Sequence, residues 1–376
     1  MYATVYLHYG VTTPFLPVWL NNRGYSADQI GVLLALPMFL KLLVLTPVLT
    51  LADRLRRVRD LAWACTATGV LLLLSLNYAP SFLTMLILTA TFAAFWDPIP
   101  VLVDAYAVTV ARDRGFDFGR MRVWGSLSFV AANVMAGWVL QYVGVSWTTW
   151  FAAALLALPL ASILTLPQDR SFSGARPSQR GEWRGLLRNR QLLLMMASVS
   201  LIIASHALVN NFSSIQWLAQ GISARAVGSL WATSIAAEAI VLWYGRRWLV
   251  DRPPELLVLI GGITAVVRWG LMMTHPSLPA LFAIQLLQGL SGMAPILAMM
   301  LYIERRVPPH LTASAQGFYG LAWSAALAVA TVSCGPLWRT FGTISYGIMA
   351  LIALLGTLIV ILARRSKEPG APALSN

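Results

Sequence analysis

Gly24-Tyr25-Ser26-Ala27-Asp28-Gln29-Ile30-Gly31 returns later in the chain as Gly221-Ile222-Ser223-Ala224-Arg225-Ala226-Val227-Gly228, with the pattern G-x-S-A-x-x-[I/V]-G kept at an offset of 197. Each copy is preceded by a Trp-Leu pair, Trp19-Leu20 and Trp217-Leu218. At or within one residue of the same offset His8 falls on His206, Lys41 on Glu238 and Pro98 on Pro295. Agreement of several registers points to a duplicated chain. Both copies of the motif interrupt long apolar runs, so the duplicated unit is a series of hydrophobic segments.

The segments can be counted outward from there. Of 376 residues 58% are hydrophobic and 11% charged, and the mean hydropathy is +0.70. That is more apolar surface than a soluble fold can hide. A bilayer core of roughly 30 Å needs about 20 helical residues. Apolar runs between polar or Pro/Gly breaks predict spans at 2–20, 28–50, 60–78, 81–110, 119–142 and 147–166, then 192–218, 224–245, 254–274, 277–304, 312–337 and 342–363. The expected fold class is therefore an all-α membrane protein of twelve transmembrane helices in two pseudo-symmetric six-helix bundles, residues 1–166 and 192–363. A polar loop at 167–191 separates them, and a tail follows at 364–376.

Charge supports the count. Of the 27 Lys and Arg, 22 fall on one side of a twelve-span arrangement, around Arg54–Arg59, Arg112–Arg122, the central loop, Arg246–Arg252, Arg305–Arg306 and the tail. Arg23, Arg225 and Arg339 lie on the other side, and Lys41 and Arg268 lie within the spans. Cytoplasmic loops retain Lys and Arg, so the expected location is the inner (cytoplasmic) membrane with both termini in the cytoplasm. The net charge of +13 is then a matter of topology, with acidic lipid headgroups as partners, and nucleic acid is excluded as a partner. Cys65 and Cys334 sit in apolar runs without metal-ligand spacing, so neither a disulfide framework nor a metal site is expected. The first residues lack a basic n-region and a cleavage site and do not read as a signal peptide.

Five stretches carry a resemblance: Phe116–Phe129 (FDFGRMRVWGSLSF), Pro100–Tyr106 (PVLVDAY), Trp217–Gly228, Ala236–Val241 around Glu238, and Val266–Gly270 around Arg268. Together they resemble the major facilitator superfamily along the whole chain, nearest its phenylpropionate permease branch, with nucleoside and lactose-permease-like proton symporters close by. The helix 2–3 signature of that superfamily is partly present. Leu51-Ala52-Asp53-Arg54 fits it, while Leu49 and Arg56 stand where glycines are usual. Parallel six-helix repeats are how such transporters place a substrate between two halves.

Ionisable side chains in mid-span are costly and normally face a partner or a water-filled cavity. The candidates are His8, Lys41, Asp97, Asp104, Arg122, His206, Glu238 and Arg268. Asp104 and Arg122 are 18 residues apart across a short basic turn, and the lactose-permease-like resemblance implies a substrate-binding pair there. A structural ion pair is the alternative. Glu238 and Arg268 lie about midway along their spans, where the resemblance implies an acid and an arginine. Glu238 is the leading candidate for proton coupling, with Asp104 and His206 beside it, and a fixed Glu238–Arg268 pair is the alternative. The helix-10 His and Glu of the lactose-permease-like branch are absent, and Gln285 and Gln288 stand in that span. His206, Asn210, Ser213 and Trp217 are spaced to share one helical face, as are His8, Thr12, Phe15 and Trp19, so His8, His206 and Asn210 join the expected substrate-binding set. Lys41 could hold an anionic substrate or bridge to Asp97 or Asp104. Gly125, Gly137, Gly289 and Gly292 read as close-packing positions, and Pro98, Pro100 and Pro295 as bends.

The functional expectation is a secondary transporter that takes up a small organic solute with protons by alternating access. Lys41, Arg122 and Arg268 with many aromatic residues suit an aromatic carboxylate of the phenylpropanoate kind. A nucleoside or sugar is the alternative substrate, and proton-coupled efflux the alternative direction. No G-x-x-x-x-G-K-[S/T] loop occurs, which argues against an ATP-driven pump. A membrane receptor or enzyme with a buried site is the reading from outside this class. No cofactor is expected beyond the proton gradient as energy source, and the expected state is a monomer.

Overall fold

The computed structural model describes residues 1–55, 58–114, 118–165, 183–249 and 251–365, without the side chains at 42, 45–58, 105, 108–122, 183–184, 246–249 and 365. Most of the expected central loop and tail, and Phe116 of the quoted motif, lie outside the described residues. Every regular element among the described residues is helical. Nine of the expected spans are single helices: α1 (Tyr2–Asn22), α2 (Ala27–Leu55), α3 (Val58–Ser75), α6 (Phe118–Val143), α7 (Thr148–Leu164), α11 (Ala224–Leu249), α12 (Pro254–Met272), α15 (Thr312–Phe341) and α16 (Ser345–Arg365). The other three are each split in two: α4 (Phe82–Trp96) with α5 (Pro98–Arg114), α9 (Arg190–Ala204) with α10 (Ala207–Ala219), and α13 (Leu278–Leu286) with α14 (Ala294–Arg306). A short α8 (Trp183–Arg188) precedes the second half.

The splits have local causes. Pro98 lacks an N–H and ends α4 at Asp97, as proline does inside any helix. Between α13 and α14 a π-turn, Gly289–Met293, carries two glycines and is followed by Pro295, the counterpart of Pro98 in the repeat. At the α9–α10 break the Ser205 hydroxyl donates to the Ile202 carbonyl at 2.6 Å, and the His206 amide bonds Ile203. Side chain and turn thus compete with the helical ladder. The continuous face expected from His206 to Trp217 is therefore interrupted at its first residue, and α10 carries Asn210, Ser213 and Trp217 alone.

The repeat is realised atom by atom. Gly24 and Gly221 both take left-handed backbone, at φ +84° and +82°, which a side chain would strain. The next residue then bonds back five positions, Tyr25 to Leu20 and Ile222 to Trp217, closing both helices with the same C-terminal motif. Ser26 and Ser223 cap the following helices by accepting from Gln29 and Ala226, and Gln29 returns a bond to the Ser26 amide at 2.9 Å.

The chain forms two compact units. One comprises Met1–Ser173 with Val209–Ala232, the other Gly174–Leu208 with Thr233–Asn376. In the first, α1 packs on α6 and α7, α3 on α7, and α4 on α3. In the second, α9 packs on α15 and α16, α12 on α16, and α14 on α12. Taken span by span, with α4 and α5 together corresponding to α13 and α14, these are the same neighbour relations under the repeat, so the duplication extends to the packing. Within the first unit α6 meets the start of α11 backbone to backbone. A methyl on Gly137 would stand 2.7 Å from the Ala224 carbonyl, and one on Gly228 would overlap the Asn133 carbonyl. Helices without a hydrophobic drive between them associate through such small-residue contacts. Beside this crossing Arg225 lies 3.7 Å over the Trp138 ring and donates to the Tyr142 hydroxyl.

Candidate functional site

The second unit holds a polar chain, buried at Arg268, Ser291 and His206 and half-buried at Gln288 and Glu238. Glu238 projects from α11, Arg268 from α12, Gln285 from α13, and Gln288 and Ser291 from the π-turn region. Gln288 Nε2 donates to Glu238 Oε1 at 2.6 Å, while Gln288 Oε1 accepts from Arg268 Nη1. Arg268 also donates from Nη2 to Gln285 Oε1 at 2.6 Å and from Nη1 to Ser291 Oγ at 3.3 Å. Ser291 Oγ in turn lies 3.3 Å from His206 Nε2, and His206 Nδ1 lies 3.0 Å from the Ile202 carbonyl. A carbonyl only accepts, so Nδ1 carries the hydrogen and Nε2 accepts from Ser291. The order is Glu238–Gln288–Arg268–Ser291–His206.

Arg268 is 1% exposed and its Nε has no hydrogen-bond partner. The residues that accept from its donors, Gln285, Gln288 and Ser291, are neutral; Glu238 acts on it by charge and is linked to it by hydrogen bonds through the amide of Gln288. One flank is aromatic: the guanidinium lies 4.8 Å over Trp269, whose ring stacks on Tyr346 and meets His206 edge-on at 4.9 Å. Trp269 is itself fixed by a bond from Nε1 to Ser205 Oγ at 2.9 Å. Gly292 leaves the room the chain needs, since a methyl there would stand 2.6 Å from Gln288 Nε2 and 3.1 Å from Glu238 Oε1.

In the first unit Asp97 lies at the α4–α5 break and Asp104 on α5. Tyr2 donates from its hydroxyl to Asp104 Oδ1 at 2.7 Å. Two turns away along both helices, Asp97 is met by Tyr9 and by the charge of Lys41. Tyr2 and Tyr9 are seven apart, as are Asp97 and Asp104, so α1 and α5 run antiparallel in a regular register. Tyr6 lies between, its ring 6.3 Å from Tyr2 and 6.2 Å from Tyr9. His8 is buried, with Phe92 and Trp96 each 5.6 Å from it. Lys41 is exposed and Asn210 half-buried. The Arg122 side chain lies outside the described residues, and with it the Asp104–Arg122 pairing.

The structure thus brings Glu238, Arg268 and His206 together in one unit, and Lys41 together with Asp97 in the other. Sequence reading named Gln285 and Gln288 without giving them a role and did not single out Ser291. Gln285, Gln288 and Ser291 recur at three-residue spacing and all accept from Arg268; that polar stripe was the available signal. The tyrosines of α1 were signalled by the seven-residue spacing they share with Asp97 and Asp104. Among the described residues no group of His, Cys, Asp and Glu could hold a metal ion.

Comparison with known proteins places these residues in context. The sequence matches the MFS_1 like family over residues 1–349. It is 30% identical over 367 residues to the probable 3-phenylpropionic acid transporter of Escherichia coli (strain K12), covering 94% of this chain and 93% of that one. It is 24% identical over 376 residues to the maltose permease of Geobacillus stearothermophilus, covering 98% and 94%. The crystal structure of nucleoside transporter NupG superimposes with a TM-score of 0.83 at 15% identity, over 97% of this chain and 98% of that one. An inward-facing bacterial homolog of the human lysosomal transporter Spinster gives 0.77 at 14% identity, over 98% and 97%. At these identities the two structures speak for the fold alone.

Proposed function

The chain belongs to the MFS_1 like family, a multi-pass membrane transporter and not an enzyme, and from that membership we propose that it takes up a small aromatic carboxylate together with protons. The observation that carries this reading is Arg268. A guanidinium in mid-span costs several kcal/mol to bury unless an anion or a full set of acceptors offsets the lost hydration. Here its hydrogen-bond acceptors are neutral, one donor has none, and Glu238 is held a full amide away. A substrate carboxylate would supply the missing charge, and the Trp269–Tyr346 stack beside it suits an aromatic ring. The name of the Escherichia coli relative, a probable 3-phenylpropionic acid transporter, points to the same chemistry.

Glu238 is the proton carrier in this reading. Its carboxyl group can take up a proton as the site is exposed to the acidic side and give it up on the other, with the proton gradient as the only energy source. His206, closing the far end of the chain of contacts, holds Ser291 toward Arg268. Within the first unit Lys41, Asp97 and Asp104 supply the charges of this reading, with Tyr2 and Tyr9 orienting the two acids. The chain works as a monomer in the inner membrane, both termini cytoplasmic and the arginine-rich loops against acidic lipid. Sugar or nucleoside uptake is the second reading, favoured by the match to a maltose permease and by the two amides in the site, which suit hydroxyl groups.

Transport by the purified chain in proteoliposomes tests the proposal. Labelled 3-phenylpropionate, maltose and uridine are offered with the outside acidified and with no gradient. Uphill accumulation of 3-phenylpropionate that collapses with a protonophore is the expected result. Accumulation indifferent to the gradient would remove proton symport, and a preference for maltose or uridine would replace the substrate.

A further inference from the structure

We propose that Gln288 is a positioning residue that makes anion binding at Arg268 depend on whether Glu238 carries a proton. The inference rests on the reading of Glu238 as proton carrier and goes beyond it by naming the link between the two events.

The argument is one of donors and acceptors. An ionised carboxylate only accepts hydrogen bonds and a guanidinium only donates them, whereas a primary amide does one at each end. Gln288 is the group that satisfies both neighbours at once, Nε2 toward Glu238 Oε1 and Oε1 toward Arg268 Nη1. Its orientation is fixed by the charge on Glu238. Once a proton sits on Glu238 Oε1, the oxygen that Gln288 Nε2 points at, donor meets donor there, and the nearby acceptor for the new O–H is the amide oxygen of Gln288. Turning the amide over satisfies that donor and sets Nε2 against Arg268, donor to donor, a contact neither group tolerates. Nη1 is then released from the amide and joins Nε, already without a partner, as a donor open to a carboxylate. Gln285 keeps Nη2 in place throughout, so the guanidinium stays where it is while its binding capacity changes.

Two features around the amide fit this role. Gly292 faces Gln288 Nε2 so closely that any side chain would block the turn. The π-turn begins immediately after Gln288, and π-turns are frequent where a helix serves a functional site. Other titratable groups bear on Arg268: His206 from the α9–α10 break, and Tyr346 on α16, which is in turn near Cys334 on α15. Glu238 itself is faced by Gln288 and Arg268. A pH effect transmitted through the amide is therefore distinguishable from one that acts on Arg268 from the other side.

The test measures the apparent KM for 3-phenylpropionate counterflow by the reconstituted full chain across a pH series. The wild type should bind more tightly as the pH falls, by up to about tenfold per unit for one linked proton. Gln288→Met keeps the length and removes both bonds, and it should flatten this slope. Gly292→Ala, which leaves Gln288 in place and crowds its amide, should flatten it as well and serves if Gln288→Met fails to fold. Glu238→Gln is the control. A flat profile in Glu238→Gln beside a wild-type slope in both other variants overturns the role of Gln288 alone. A wild-type slope in Glu238→Gln overturns the reading of Glu238 on which this inference stands.

Discussion

The hydroxyl of Tyr2 and the carboxylate of Asp104 meet at 2.7 Å across helices that are 102 residues apart in the chain. This bond ties the first turn of α1 to α5. A hydrogen bond to a charged group contributes roughly 1.5–3 kcal/mol. Tyr2→Phe and Asp104→Asn should each lower the melting temperature of the detergent-solubilised protein, and the double variant should lose less than the sum of the two. Fully additive losses in the double-mutant cycle would show that the contact contributes nothing.

Arg268→Lys should fail where a surface Arg→Lys change would pass. An ammonium cannot hold Gln285 and Gln288 in the fixed fork that the guanidinium provides. The expected loss in apparent affinity for 3-phenylpropionate is tenfold or more, roughly the effect of losing one charge-assisted contact. Equilibrium binding by scintillation proximity reads this directly. Unchanged affinity would remove Arg268 from the substrate site.

Glu238→Gln keeps the shape of the side chain and fixes it neutral. Uphill accumulation driven by an acidic exterior should disappear, while exchange of labelled for unlabelled substrate across the membrane should persist. If the variant still concentrates substrate, Glu238 is not the coupling acid.

Gly228→Leu should separate α6 from the start of α11, because even a methyl there would overlap the Asn133 carbonyl. Overpacking of this kind commonly costs about 1–3 kcal/mol. Both melting temperature and transport should fall. Gly185→Leu, at a position with open space around it, is the matched control and should leave both unchanged.

What could be read from the sequence was whatever repeats with a simple period. Hydropathy placed the spans because a bilayer demands a fixed length of apolar helix, and the paired G-x-S-A motif placed the corners because left-handed backbone favours glycine. His206 is where such reading lost its hold. A four-three-four spacing implies one continuous face only if the helix is continuous, and the Ser205 hydroxyl ends α9 just before it. Gln288 was passed over for a related reason. Its importance lies in standing between two charges contributed by other helices, and the three-residue stripe it shares with Gln285 and Ser291 marks a polar face without saying what meets it. Asp97 and Asp104 were visible as acids within a span, and the seven-residue spacing they share with Tyr2 and Tyr9 hinted at the pairing, but no local pattern says which remote helix supplies a neighbour.

The matched corners at Gly24 and Gly221 have a mechanical consequence. Each is closed by backbone bonds before the turn and a serine cap after it, so there is no slack where one rod passes into the next. Compliance is found instead in the middles of the rods, at Asp97-Pro98, at Ser205-His206 and at the π-turn after Gln288. All three soft points coincide with a polar residue of the candidate site. Stiff corners and pliant centres mean that a change of charge at Asp97 or His206 acts at a joint itself, and one at Glu238 reaches the third joint through Gln288.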